Sequence, residues 1–519
     1  MTRIDSAHFR APRLGPLLGV CHAGHPHEQL RVSFGFEAAW GPPQAVVWVT
    51  ATPGADGMHC TVRHVMPWKA HDMIDGSPCC VQAFDLKASL WGNEPTLTGL
   101  LAYGFDSLPA IQASHLPWPK HLPPACTLRW PSAWQAELAD TCFVVGSCQY
   151  PAGLLDAAPN ARDWSGGPAD ASFARLMAWR QTPDLPQPLF ALLLGDQVYV
   201  DATAGLFDPQ KLSDRYVHPY LAQMKRSFRN EALRHLPVLC LPDDHEIHND
   251  WQPAPHTRIA LARNQAKEDG LAQYWRFQRM QTPQPHIWQQ FKRHGASFFL
   301  ADTRSERSAR TAASIDAARI MSDAQNTALM DWLKNEGPAP HLKFLACPSA
   351  VLPRRQKVRT DRPASALLSD AWDGYPGSLY RFLAALADHR VTNLVLLSGD
   401  EHISSLARIG VQRLEHPGQA PSLSPYPIAH TRSVHSSGWY SPYPFANSQP
   451  QELRGDDVFE FSVGDEGAHR CHYRCTVETT FYPGDGCALI QTDRQGRVRC
   501  RFLKGQAELE PPDWLPLQP

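Results

Sequence analysis

The chain has 519 residues, a length that suggests roughly two to four domains. Hydrophobic residues make up 43% and charged residues 19%, a globular composition able to bury a substantial core. With 49 basic and 51 acidic residues the formal net charge is -2, which leaves no basic excess for phosphate-backbone contacts and excludes a dedicated nucleic-acid binder.

The N-terminus, MTRIDSAHFRAPRLGPLLGV, has no continuous apolar segment, so no export signal is read there. No later run approaches bilayer length, and Leu189–Leu194 is typical of what there is; no membrane span is expected. Residues 15–114 read as short strands. Ala45–Ala51 (AVVWVTA) and Cys60–Met66 (CTVRHVM) alternate in the strand sense across the turn residues PGADG. Proline-rich Pro117–Pro124 reads as a linker. These features predict an N-terminal β-sandwich with its linker over residues 1–135, and a second domain with a β-rich C-terminal extension over 136–519.

From Thr141 apolar runs alternate with helical segments: CFVVGSC, FALLLGD, PVLCLPDDHE, SFFLADTR, LKFLACPS and NLVLLSGD. The runs are continuous, as expected of strands covered on both faces. Helices are predicted at Asp170–Arg180, Leu212–Arg226, Asp323–Asn335 and Leu379–Asp388, the third opening on SDAQ (Ser322–Gln325), which has capping-box form. The sum is an α/β core of two packed sheets with helices outside. Gly418–Gly455, dense in Pro and Ser, reads as a long irregular excursion, and with Trp251–Trp288 as a loop that sets specificity. The 13 cysteines show no framework spacing and read as reduced thiols of a cytoplasmic protein, Cys471 and Cys475 included.

The apolar runs end in groups that bind metals or move protons: Cys148, Asp196 with Tyr199, Asp243–Asp244–His245, Asp302, and Asp400 with His402. Ligand sites in α/β proteins form outside the carboxyl ends of strands, so this repetition predicts one convergent site. Carboxylates, imidazole, phenol and thiol cannot crowd together without positive charge between them. Two cations about 3.5–4 Å apart supply it, clamp a phosphoryl group and activate water. Asp196 is the expected bridging carboxylate. Tyr199, a phenol with an ordinary pKa near ~10, ionises only beside a strongly acidic ion. With Cys148 it favours ferric iron, whereas oxygen donors suit calcium, manganese, magnesium or zinc.

Blander roles compete. Cys148 alone reads as a small buried hydrophobe, Asp302 with Arg304 as a structural ion pair, Asp201 as a turn residue and Trp251 as a packing residue. Two other functions are consistent with parts of the pattern. Ser147 or Cys148 as a nucleophile activated by His402 would give a metal-independent hydrolase; the fold could also serve as an inactive binding module.

GDQVY (Gly195–Tyr199) resembles the GDxxY motif of the binuclear metallophosphatases, DDHE (Asp243–Glu246) their GNHE/GNHD position and SGDEH (Ser398–His402) their GHxH. GSC (Gly146–Cys148), DDHEIHND (Asp243–Asp250), DTRSER (Asp302–Arg307) and WDGYP (Trp372–Pro376) are similar to the PhoD-like alkaline phosphatases of that superfamily. The resemblance implies a four-layer αββα sandwich and hydrolysis of small phosphate monoesters or diesters by a metal-bound hydroxide. It implies Cys148 and Tyr199 on a ferric-type ion, Asp196 between two ions, Asp244 on the second, and Asp400 and His402 completing the cluster. Asn249 becomes a further ligand, His245 an acid at the leaving group and Arg304 a phosphate contact. No counterpart of the superfamily's VxxH histidine is found in LKFLACPSAVLP.

Overall fold

The computed structural model describes residues 8–54, 57–69, 73–74, 77–78, 80–109, 127–136, 140–156, 166–203, 206–254, 257–334, 342–442, 449–464 and 470–517, and strand counts and absences refer to these. The expected linker Pro117–Pro124 lies outside them.

All six apolar runs are strands. Thr141–Gln149, Ala191–Leu194 and Val238–Leu241 run parallel side by side, as do Ala296–Leu300, Leu342–Cys347 and Leu394–Ser398. Every residue in them but Leu342 is buried. Such strands need cover on both faces, which accounts for their continuous apolar character. The first trio is central to a ten-stranded mixed sheet and the second belongs to an eight-stranded one. The two sheets meet through aromatic rings: Phe143 stacks on Phe190 at 4.9 Å and turns its edge to Phe298 at 5.7 Å and Phe344 at 5.3 Å. On the outer side of the second sheet, helix Pro376–Asp388 buries Leu379, Phe382 and Leu383 against Ala407, Ile409 and Val477. Helix Ala171–Gln181 lies against the first sheet at Val498–Lys504. The chain is an α/β protein.

The N-terminal strands divide between two sheets. Leu14–Cys21 lies beside Val238–Leu241, and Gln29–Gly35 and Val81–Leu86 follow it, so all three extend the ten-stranded sheet. A five-stranded sheet built on Ala45–Gly54 and Thr96–Ala102 covers them, with Trp48 edge-on to Phe34 at 5.6 Å and to Phe84 at 6.4 Å. Trp48 and Phe143 belong to one continuous hydrophobic core.

Several expectations change. The single helix expected over Leu212–Arg226 opens instead as a wide π turn, Ser213–Val217, before Val217 leads into helix His218–Lys225. Pro219 has no N–H for the helical ladder, which favours this break. Within Trp251–Trp288 a 21-residue helix, Thr257–Phe277, replaces much of the expected loop. Its Ala, Leu, Arg, Lys and Gln are good helix formers, but its polar character masked the period. The Gly418–Gly455 excursion contains strand Ala429–His435, parallel to Leu394–Ser398 and antiparallel to Ser404–Leu414. Its buried polar residues bind backbone, Thr431 Oγ1 donating to Leu394 O at 2.7 Å and Ser433 Oγ to Leu352 O at 3.1 Å, so no apolar run announced it.

Ser322 Oγ does accept from the Gln325 N–H at 3.3 Å, but the Gln325 amide bonds both backbone groups of Asp302 instead of closing the box, at 2.8 and 3.0 Å. No disulfide joins the described cysteines. Cys471 accepts from Arg413 and Cys475 packs in the second core. No helix among the described residues is long and apolar enough to cross a membrane.

Phe143→Ala is expected to cost about 3–5 kcal/mol, because it empties the contact between the sheets. Urea unfolding should show a lower midpoint with an unchanged slope; an unmoved midpoint would contradict the role given to this ring.

Candidate metal centre

The strand ends converge as the pattern required. Cys148 closes its strand at φ +49°, and Asp196, Asp400 and His402 also lie in the left-handed region, at +55°, +78° and +53°. Non-glycine residues reach that region only at a cost, and such residues cluster at functional sites. Two glycines allow the close approach. A Cβ on Gly399 would stand 2.5 Å from the Ser147 side chain and 2.8 Å from Leu194 O, and one on Gly195 would stand 2.4 Å from Asp243 Cβ.

Potential ligand atoms gather in overlapping groups, each within 4.8 Å: Cys148, Asp196 and His402; Asp196, Asp244 and His245; Asp196, Asp243, Asp244 and Asp400. A fourth group joins Asp244 to Asp250 and Asp370. Cys148 Sγ lies 3.3 Å from Asp196 Oδ2, and the Tyr199 hydroxyl 3.2 Å from His402 Nε2. The first sheet supplies Cys148, Asp196, Asp243 and Asp244, and the second supplies Asp400 and His402.

Buried Glu246 organises the acidic side. Its carboxylate accepts from the backbone N–H groups of Asp196 at 3.0 Å, Gln197 at 2.8 Å and Asp243 at 2.8 Å, and from Gln278 Nε2 at 2.8 Å. It therefore fixes the turns that carry two of the converging aspartates. Arg304 is wholly buried. Its Nε donates to Asp243 at 2.6 Å, one terminal nitrogen to Trp251 O at 3.3 Å and the other to Asp370 at 2.9 Å. Asp302 is not its ion-pair partner. The Asp302 carboxylate accepts from the backbone of Arg304 and Ser305 at 3.0 and 2.8 Å, shaping the turn.

The electrostatics are those of a site short of positive charge. The Asp196 carboxyl is pushed well above the carboxylate range, by burial first and then by Asp244, with His245 opposing. Asp400 is raised the same way, by burial and then by Asp370 and Asp243. Burial lifts Asp243 to about 7 against the pull of Arg304, and lifts Asp250, with help from Asp370, to about 6. Asp243 Oδ2, Asp244 Oδ1 and Asp400 Oδ2 are buried without a hydrogen-bond partner. Stranded acceptors of this kind are costly unless a cation meets them. The donor set, thiol, phenol, imidazole and carboxylates, fits metal ions.

The thiol is poorly placed to be a nucleophile. Burial and then Asp196 push the Cys148 pKa well up, opposite to the shift that activates such a group. The Ser147 hydroxyl is buried and turns toward Ser436 O at 3.5 Å.

Most residues singled out in the sequence thus meet here, whereas the polar groups of Asn249 and Arg304 are turned to protein partners. Asn249 is exposed and its amide donates to Asp250 at 3.0 Å. Arg304 has no exposure left for a substrate oxygen. Asp201, read as a turn residue, binds His245 Nδ1 at 2.7 Å and also accepts from the Asn249 N–H. Asp370 was missed, although it stands just ahead of WDGYP. Asp250 was missed as a member of the carboxylate group with Asp244 and Asp370, although it closes DDHEIHND. In WDGYP itself, Asp373 accepts from the Arg355 N–H at 2.7 Å and from Ser369 Oγ at 2.5 Å, a structural task.

The PhoD-like phosphatase profile matches residues 164–423, half of the chain, with Asp196, Asp244, His245, Asp400 and His402 inside the match and Cys148 ahead of it. The chain belongs to the PhoD-like phosphatase family. A solved structure of PhoD is similar with a TM-score of 0.55 at 13% identity, over 99% of this chain and 90% of that one, a likeness of fold. No curated protein matches the chain. As a PhoD-like phosphatase it carries acidic and histidine clusters able to hold metal.

A pH dependence follows from the raised carboxyls. Their folded pKa values exceed the unfolded value, so the protonated forms stabilise the metal-free protein at low pH, and that contribution is lost as pH rises through about 6 to 7. A cation competes with those protons. Its stabilisation should therefore grow from pH 5 to pH 8. Thermal unfolding with and without added divalent ion checks this, and a shift that is equal at both pH values would contradict it.

Proposed function

We propose that this protein hydrolyses phosphate esters, monoesters or diesters, through a two-metal cluster held by Cys148, Asp196, Tyr199, Asp244, Asp400 and His402. The observation that carries the reading is the convergence of these side chains from two sheets, Tyr199 through its contact with His402, around buried carboxylate oxygens that have no hydrogen-bond partner. Ferric iron beside Cys148 and Tyr199, with a divalent ion beside Asp244, suits the donor types. When bound, the ions would neutralise charge on the phosphoryl oxygens and activate water for in-line attack. Asp196, which shares groups with both Cys148 and Asp244, is the bridging candidate.

His245 has the leaving-group role. Its Nδ1 is held by Asp201 at 2.7 Å and its ring lies 4.0 Å from that of Tyr199, so its orientation is set. The side chain keeps 17% exposure, enough to meet a bound ester. Burial disfavours its charge, but Asp201, Asp244 and Asp196 outweigh that and raise its pKa well above the usual value. A protonated His245 can thus give the departing alkoxide a proton from Nε2, while Asp201 steadies the ring. A site that depends on a thiol ligand suits a reducing compartment, and a cytoplasmic location is proposed on that ground.

Asp196→Ala should lose both metal and turnover, measured by elemental analysis and ester hydrolysis; intact metal with full activity would defeat the bridging assignment. His245→Ala should keep its metal and lower kcat by about 10²–10⁴-fold. An unchanged kcat would remove the proton-donor role. For the reading as a whole, purified protein should carry about two metals per chain and hydrolyse a p-nitrophenyl ester; protein that holds no metal after reconstitution would sink it.

A further inference from the structure

Arg355 lies in the segment after strand Leu342–Cys347, outside the motifs at the strand ends. Its guanidinium pairs with Glu401 Oε1 at 2.8 Å, and Glu401 directly follows Asp400. Its backbone N–H is fixed by Asp373 at 2.7 Å. The anionic groups acting on it, largest first, are Glu401, Asp400, Asp370 and Asp373. Asp400 and Asp370 belong to different groups of the carboxylate cluster, and the pair with Glu401, next to Asp400, anchors the guanidinium at the edge of that cluster. The Arg355 side chain retains 24% exposure, against 0% for Arg304. Arg304 has all three nitrogens engaged by protein acceptors, whereas Arg355 Nε has no hydrogen-bond partner.

We propose that Arg355, rather than Arg304, receives a non-bridging phosphoryl oxygen of the substrate, and that Glu401 is the positioning residue that aims it. A guanidinium suits this task because its planar donors match two oxygens of a tetrahedral anion. Arg304 has a different duty: buried among Asp243, Asp244 and Asp370, it holds the acidic wall in place. Glu401 restricts the Arg355 rotamers, so less freedom is lost when the anion arrives. This assignment rests on the phosphoesterase reading, yet it concerns anion recognition and can be measured without turnover.

The test uses the full chain reconstituted with metal, and Arg355→Gln, Arg355→Lys and Glu401→Gln variants. Inorganic phosphate is titrated calorimetrically, metal content is measured on the same samples, and KM and kcat are taken with bis(p-nitrophenyl) phosphate. Arg355→Gln should bind phosphate about 10- to 100-fold more weakly and raise KM, with metal content unchanged. Arg355→Lys should recover part of the loss, and Glu401→Gln should weaken binding less than Arg355→Gln. Wild-type phosphate affinity in metal-replete Arg355→Gln overturns the proposal. So does loss of metal from that variant, because it would make Arg355 a support for Asp400 only. If the wild type binds phosphate through Arg355 but cleaves no ester, the hydrolase reading falls and the anion site stands. If metal-loaded wild type binds no phosphate, both fall.

Discussion

Repulsion between buried carboxylates sets the terms for the rest of this molecule. Asp196, Asp243, Asp244 and Asp400 place oxygens within 4.8 Å of one another, the first three as buried residues and Asp400 half-buried with its Oδ2 buried. Like charges in such surroundings resist ionisation, which is why burial and mutual repulsion raise Asp196 and Asp400 together. A fold that brings these groups together has to hold them rigidly, because each would otherwise move apart into water. Glu246 does part of this through the backbone of Asp196, Gln197 and Asp243, and Arg304 does part through Asp243 and Asp370. The left-handed backbone at Cys148, Asp196, Asp400 and His402 belongs to the same constraint. Preorganised in this way, the cluster is able to hold metal ions.

The two large sheets contribute unequally. The first brings the thiol and three of the aspartates, and the second brings Asp400 and His402 on the loop between Leu394–Ser398 and Ser404–Leu414. Their relative placement depends on the aromatic contacts of Phe143 and on links closer to the site. One such link is Lys504, from the first sheet. Fully buried, it donates to Ser404 Oγ at 2.7 Å and Ser437 Oγ at 3.3 Å, and to the backbone at Gly484 and Tyr482. Burial lowers its pKa to about 7, against the opposing pull of Asp485. The strand that carries Lys504 lies far along the chain from GSC and GDQVY, yet it ties down the segment immediately after His402.

The two buried arginine systems divide the work of charge compensation. Arg304 neutralises the inner wall and is closed off from solvent, whereas Arg355 stands half-buried against Glu401, the residue after Asp400. Nothing in local sequence separates them. DTRSER drew attention to the first because it lies in a motif at a strand end, and Arg355 sits among the arginines of PRRQKVR with no comparable signature.

The sequence by itself determined the parallel strands and the groups at their ends. Continuous apolar runs can be stable only when covered on both faces, and polar residues at their carboxyl ends must then point into a common crevice. That reasoning reached Cys148, Asp196, Tyr199, Asp244, His245, Asp400 and His402 one run at a time. Tertiary structure alone decided what bridges separate segments: Asp201 on His245, Glu246 under two turns, Asp370 beside Asp244, and the closed ion pairs of Arg304. It also decided that the polar segment Ala429–His435 is an interior strand, since its hydroxyls are satisfied by carbonyls of Leu394 and Leu352. Periodicity reports how one segment meets its average surroundings. It carries no record of which distant partner supplies a hydrogen bond or a compensating charge, and here those partners separate a ligand from a support.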